Sequence, residues 1–162
     1  MSQKIAVYPG SFDPITLGHV DLVHRGLSLF DEIVLAVAVN TSKNTLFTIE
    51  ERVELIYKTF ETEPRIRVTG FSGLLVDYLR DNGIHTLLRG LRAISDFDYE
   101  FQISQMNRAL FPQMDTVFLM TSSQYFYLSS SVIKEVARFG GDVSSWVPPV
   151  VAAALRNKFQ SI

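Results

Sequence analysis

Thr16, Gly18 and His19 stand where several physical conditions for holding an anion coincide. The run Ile5-Ala6-Val7-Tyr8 is short, apolar and β-prone, and Pro9-Gly10 ends it with a residue that cannot donate and one that tolerates positive φ. Beyond that turn, Val20, Val23, Leu27 and Phe30 recur at spacings of three and four, the period of a helix whose first turn holds Gly18 and His19. Free N–H groups and the helix dipole favour an anion there. Gly18 lets a phosphate approach the backbone, and His19 supplies a side-chain donor; the competing reading is a histidine that bonds only to its own helix start. A helix start gives an exposed anion only ~0.3–1 kcal/mol and up to ~2 when partly buried. Enzymatic rate enhancements correspond to roughly 8–23 kcal/mol. Catalysis at this loop therefore requires cationic side chains from distant parts of the chain.

The elements that would bring such cations follow from periodicity. Residues 32–39 are continuously apolar after Glu32, as in a strand buried on both faces of a parallel sheet. Thr48-Ile49-Glu50-Glu51 matches a capping box, and the helix it opens carries Val53, Ile56, Tyr57 and Phe60 until Glu63-Pro64. A strand over 66–71 comes next, then a helix capped by Ser72 that holds Leu74, Leu75, Tyr78 and Leu79 and stops at Asn82-Gly83. A fourth strand spans 84–88, and Arg89-Gly90-Leu91-Arg92 leaves it. Residues 95–111 read as a helix with Ile103, Met106 and Leu110 on one face, although Asp96-Phe97-Asp98-Tyr99-Glu100-Phe101 alternates as a strand would. A fifth strand at 115–120 precedes a helix over 129–139 and a last one over 148–159 that begins with proline. Strands alternating with helices, without repeat or linker, predict an α/β fold: one doubly wound domain over 1–162, built on a five-stranded parallel sheet.

Ligands of such sheets bind beyond the carboxyl ends of the strands, at the switch point. That edge receives Ser11 and His19 from the first loop, Lys43 from the second, residues 72–75 from the third, Arg89 and Arg92 from the fourth, and Tyr125 to Ser131 from the fifth. Any one of these cations could be a solvated surface charge, but two arginines and a lysine facing a histidine-bearing helix start are harder to dismiss. Ser129-Ser130-Ser131 suits an N-cap or a phosphate cradle. His24 lies roughly 140° round the helix from His19 and reads as structural. His85, in a strand, reads as a core histidine, the Phe97, Tyr99 and Phe101 group as core, Glu100 as solvated, and Trp146 as packing.

Composition narrows the chemistry further. The 162 residues carry a formal net charge of −2, which gives no footprint for a polyanion, so no nucleic acid partner is expected. With no cysteine there is no thiol nucleophile or thiolate metal site, and no His, Asp and Glu group has zinc spacing. P-loop and dinucleotide fingerprints are missing, and Gly70-Phe71-Ser72-Gly73 falls one residue short of a hydrolase elbow. No signal peptide or membrane-length apolar run is evident, which predicts a soluble, cytoplasmic protein with no membrane partner.

The motif Thr16-Leu17-Gly18-His19 after Tyr8-Pro9-Gly10-Ser11-Phe12-Asp13-Pro14 resembles the (His/Thr)-x-Gly-His signature of the nucleotidyltransferase superfamily. Ser42-Lys43, Phe47-Thr48-Ile49-Glu50-Glu51-Arg52, Arg89-Gly90-Leu91-Arg92, Asp96-Phe97-Asp98-Tyr99-Glu100, Met106-Asn107 and Ser129-Ser130-Ser131 narrow the resemblance to the bacterial phosphopantetheine adenylyltransferase family. The resemblance implies adenylyl transfer from ATP to 4′-phosphopantetheine, giving dephospho-coenzyme A and pyrophosphate. It implies His19, Lys43 and Arg89 as catalytic residues and Ser11, Lys43, Leu75, Arg89 and Asn107 as phosphopantetheine contacts. It implies Ser11, Phe12, His19, Gly90, Leu91, Arg92, Glu100, Tyr125, Phe126, Tyr127, Leu128, Ser129, Ser130 and Ser131 as ATP contacts. Ser11 stands where many members have threonine, and Leu75 where some have methionine; both changes are mild. Also implied are Mg²⁺ carried on the ATP phosphates rather than in a protein cage, a homohexamer, and inhibition by coenzyme A. Related enzymes acting on nicotinate mononucleotide or glycerol 3-phosphate are the runner-up, and a nucleotide-sensing module that does not turn over is the non-enzymatic alternative.

Overall fold

Residues 33 to 37 are apolar on both faces of an extended chain, a pattern that only a strand covered on both sides can bury. In the computed structural model, which describes residues 3–39 and 44–160, that segment is β2 (Glu32–Ala38), and Ile33, Val34, Leu35, Ala36 and Val37 are completely buried. Before it come β1 (Ile5–Gly10) and α1 (Leu17–Gly26). After it follow α2 (Ile49–Thr59), β3 (Ile66–Phe71), α3 (Leu75–Asp81), β4 (Thr86–Leu91), α4 (Ile94–Leu110), β5 (Asp115–Met120), α5 (Ser130–Arg138) and α6 (Pro149–Gln160). The five strands form one parallel sheet in the order β3-β2-β1-β4-β5. Chain order reverses between β1 and β4, which puts the switch-point crevice at the ends of those two strands.

The period of two along β2 divides the core. Ile33, Leu35 and Val37 pack with Leu22, Val23, Ile56, Ile133 and Leu155 from helices on one face. Val34 and Ala36 pack with Val76, Leu79, Phe111 and Met114 on the other. Helix α4 is different: Tyr99, Phe101, Ile103, Met106 and Leu110 are all exposed along it.

Several boundaries differ from the sequence reading, each for a local reason. β1 continues through Pro9 and Gly10, which pair with Ala36 and Val37. Proline is tolerated there because β1 meets β4 only at Val7 and Leu87, and on that side the Pro9 carbonyl accepts from Arg89 instead. β4 starts at Thr86 rather than 84, since Ile84 closes α3: Gly83 (φ 63°) donates to Arg80 O and Ile84 to Leu79 O, a Schellman ending. Arg89, Gly90 and Leu91 thus lie in the strand, while His85 precedes it, exposed and ring to ring with Phe111, not in the core. The N-cap of α3 is Leu74, with no side-chain bond from Ser72. Helix α2 ends at Thr59, and it buries Arg52, Leu55 and Ile56 while Tyr57 faces solvent. The alternating segment 96–101 is helical, and its aromatics lie on the surface rather than in the core.

Two nearly sealed charges tie the loop after β1 to its neighbours. Asp13, 4% exposed, accepts from the N–H groups of Phe47 (2.9 Å) and Leu46 (3.0 Å) and from Lys134 Nζ on α5. Arg52, equally buried, donates to the carbonyls of Ser11 (2.7 Å), Ala38 and Thr48. Between their anchors sits Phe12 at φ 45°, a left-handed conformation that a bulky side chain adopts only under constraint. Lys134→Ala leaves the Asp13 carboxylate buried without its cation, so equilibrium unfolding in urea should show a loss of about 1–3 kcal/mol.

Candidate active site

Helix α1 opens with a reciprocal cap in which histidine takes the place usual for glutamate. The Thr16 hydroxyl accepts from His19 N–H at 3.4 Å, and Thr16 N–H donates to His19 Nδ1 at 3.0 Å. Because Nδ1 accepts, the neutral imidazole carries its proton on Nε2. Burial, helped by the Arg92 charge, lowers the His19 pKa to about 4, so the ring is neutral at physiological pH. The Phe12 ring meets the imidazole edge to face, 5.2 Å between centroids. Gly18 lies against Tyr125: a Cβ there would meet Tyr125 Cβ at 3.4 Å, in van der Waals contact.

Arg89, at the end of β4, reaches the same space. Its Nε and one terminal nitrogen bond both oxygens of Glu100 on α4 (2.8 and 2.5 Å), and its other terminal nitrogen donates to Pro9 O at 3.2 Å. Burial alone would lower this guanidinium, but the bonds to Glu100 outweigh it and leave the pKa raised. Arg92 follows beyond the strand, with Asp96 at 3.3 Å. From the same half of the sheet, the loop after β5 contributes Thr121, Tyr125 and Leu128. At the start of α5, Ser129 caps the helix by accepting from Val132 N–H, and Ser130 donates to Pro14 O.

These groups enclose a cavity of about 290 Å³, lined by Phe12, Gly18, His19, Arg89, Gly90, Arg92, Tyr125, Leu128, Ser129 and Ser130, with Tyr8, Thr16 and Thr121 among the others. Gly90 has no room for a side chain, because a Cβ would stand 2.4 Å from Leu22 Cδ1. The serine run therefore both caps a helix and faces the cavity. Glu100 is ion-paired rather than solvated and meets the cavity only through Arg89.

Other candidates lie elsewhere. Ser11 is held through its carbonyl by Arg52 and does not line the cavity. Leu75, the first residue of α3, packs against the second core layer, and Leu91 is buried. Phe126 and Tyr127 are exposed on the loop after β5, edge to face with each other. Ser131, one residue further round α5, faces a side groove with Lys134 and Phe139, and Asn107 sits on α4 away from the cavity. Lys43 lies outside the described residues. Sequence reasoning passed over Tyr8 and Thr121. Both stand at the carboxyl ends of strands or just beyond, the one positional signal that could have found them.

A cytidylyltransferase-like family model matches residues 7–136. A phosphopantetheine adenylyltransferase from Syntrophotalea carbinolica is 56% identical over 98% of this chain and 96% of its own length. The enzymes of that name from Geobacter metallireducens and Heliobacterium modesticaldum are 54% and 52% identical over 98% and 96% of this chain and 98% and 92% of theirs. Among solved structures, one assigned as a nicotinate-nucleotide adenylyltransferase from Vibrio parahaemolyticus aligns with a TM-score of 0.74, covering 96% of this chain and 100% of that one. Its 18% identity makes this a likeness of fold. With the switch-point cavity, the helix-start histidine and relatives matching end to end, the chain belongs to the phosphopantetheine adenylyltransferase family of nucleotidyltransferases.

Proposed function

We propose that this chain transfers the adenylyl group of ATP to 4′-phosphopantetheine, in coenzyme A biosynthesis. A 4′-phosphate oxygen attacks the α-phosphorus, the bond from that phosphorus to the β-phosphate oxygen breaks, and pyrophosphate leaves with the electron pair. The observation that carries the reading is the convergence of a neutral Nε2–H donor, two arginines and two helix starts on one cavity. Displacement at phosphorus needs positioning and charge stabilisation more than covalent help, and this cavity is equipped for both.

In this reading His19 Nε2–H donates to the α-phosphate as charge builds, and Arg89, with Lys43 from the loop after β2, orients the attacking phosphate. Arg92, Ser129, Ser130 and the N–H groups at the start of α5 hold the β- and γ-phosphates. Phe12, Gly90, Leu128 and Tyr125 shape the nucleotide's side of the cavity. Ser11, Leu75, Leu91, Asn107, Phe126, Tyr127 and Ser131 would reach substrate only at the periphery, and Glu100 would act by holding Arg89. The lining contains hydroxyls and cations but no carboxylate, and no group of three potential metal ligands occurs among the described residues. That donor set fits Mg²⁺ entering as part of MgATP, where it offsets charge on the outer phosphates.

The exposed apolar residues of α4 support self-association into the homohexamer the family likeness implies, because monomers rarely expose so broad an apolar face. No described helix is long and apolar enough to cross a membrane; a cytoplasmic place is proposed from the family's biosynthetic role. Coenzyme A, which carries the product's pantetheine arm and adenylyl group, is the proposed inhibitor. The whole chain is proposed to form the one nucleotidyltransferase domain.

Pyrophosphate should appear from MgATP only when phosphopantetheine is added. Release with nicotinate mononucleotide or glycerol 3-phosphate instead would favour the runner-up, and ATP binding without release would favour a sensor. His19→Ala should lower kcat by about 10²–10³ while the Kd for ATP changes little. An equal loss of both would make the histidine a ground-state contact. Imidazole NMR on the ligand-free protein should find His19 neutral at pH 6 and titrating near pH 4. Since the unfolded chain takes up that proton near 6.5, the stability this group contributes is complete above about pH 6.5 and is lost as pH falls to about 4. Sedimentation of the intact protein should give six copies.

A further inference from the structure

One largely buried polar group at the cavity has no hydrogen-bond partner among the described residues. Tyr8 lies on central strand β1, is 7% exposed, and sets its ring edge-on to Phe12, with 5.4 Å between centroids. His19 lies 6.2 Å away on the same measure. Among the described residues nothing bonds the Tyr8 hydroxyl, yet no described side-chain N or O sealed from solvent lacks a partner. The hydroxyl is therefore not sealed, and it opens into the cavity that Tyr8 lines with Arg89, His19 and Gly90. A Cβ on Gly90 would stand 3.8 Å from this oxygen, so the bare backbone at 90 leaves space beside it. Burial holds the phenol pKa well above its ordinary value, and of the charges acting on it Arg89 acts most strongly. The group is a neutral O–H donor at any working pH.

We propose that Tyr8 is a further substrate-contacting residue, its O–H donating to an oxygen of the acceptor's phosphomonoester between Arg89 and His19. The inference rests on the function proposed above, which gives Arg89 the acceptor phosphate. The chemistry is complementary. Arg89 already spends its Nε and one terminal nitrogen on Glu100, so a phosphate beside it has oxygens that the guanidinium does not satisfy. In the free protein the hydroxyl, open to the cavity, is left to water, and a phosphate oxygen can replace that water as its acceptor on binding.

Tyr8→Phe deletes the oxygen and keeps the ring. Calorimetry should show the Kd for 4′-phosphopantetheine weakened by about ten- to a hundredfold, with the thermal midpoint not lowered and the Kd for ATP within about twofold. ATP is the control, because it shares Phe12 and His19. Weakening of both ligands alike, or a lowered midpoint, would mean that Tyr8 only packs and would overturn the proposal. So would a loss confined to ATP, or no change. If the unsubstituted protein does not bind phosphopantetheine, the proposed function fails and this contact with it; if it binds and Tyr8→Phe binds equally well, only the contact fails.

Discussion

The active-site loop keeps its shape because two buried charges cannot be left without partners. Asp13 and Arg52 are both nearly sealed from water, and each is satisfied by several groups: Leu46, Phe47 and Lys134, all distant in the chain, for the carboxylate, and Ser11, Ala38 and the local Thr48 for the guanidinium. Removing one partner of a buried charge costs more than the pair contributes, so the arrangement acts as a constraint more than as a source of stability. It joins the ends of β1 and β2 to the start of α2 and to the middle of α5. Phe12, held left-handed between these anchors, presents its ring to His19. The geometry around His19 is thus fixed by residues that do not line the cavity.

The cavity is locally cationic on a chain whose formal net charge is −2. Arg89 is paired with Glu100 and Arg92 with Asp96, so both guanidiniums are held in place at the cavity beside the starts of α1 and α5 and the neutral imidazole of His19. Such donors are in place before the reaction begins and need no reorganisation as charge moves to the leaving group. The Arg89–Glu100 pair holds the arginine toward Pro9 O, so it arrives already aimed.

Most of the fold was legible because its signals are local and strong. The apolar run of β2, the capping box at Thr48 and Glu51, and the stop at Asn82-Gly83 are each a few residues long, and each appears as read. The errors came where tertiary structure overrides local pattern. Ile84 looked like a strand residue but closes a helix, and Pro9-Gly10 looked like an ending but stays paired to β2. His85 reads as core from its place in a strand and the α4 aromatics from their apolarity, and all of them lie outside the core. At the site, the strand-end rule brought together His19, Arg89, Arg92 and the serines. It could not see that Glu100 would pair with Arg89, or that Tyr8 would turn its hydroxyl inward, since both depend on side-chain packing between elements.

The cap at Thr16 limits what His19 can be. With Nδ1 committed to the helix start, this imidazole has a single free handle and no second atom through which to hand a proton onward. It cannot work as a relay in the manner of a Ser-His-Asp triad, where one ring nitrogen takes what the other is steadied to receive. His19 is thereby set up as a donor and not as a base, which suits the proposed acceptor, since a phosphate dianion needs no proton removed before it attacks and an alcohol would.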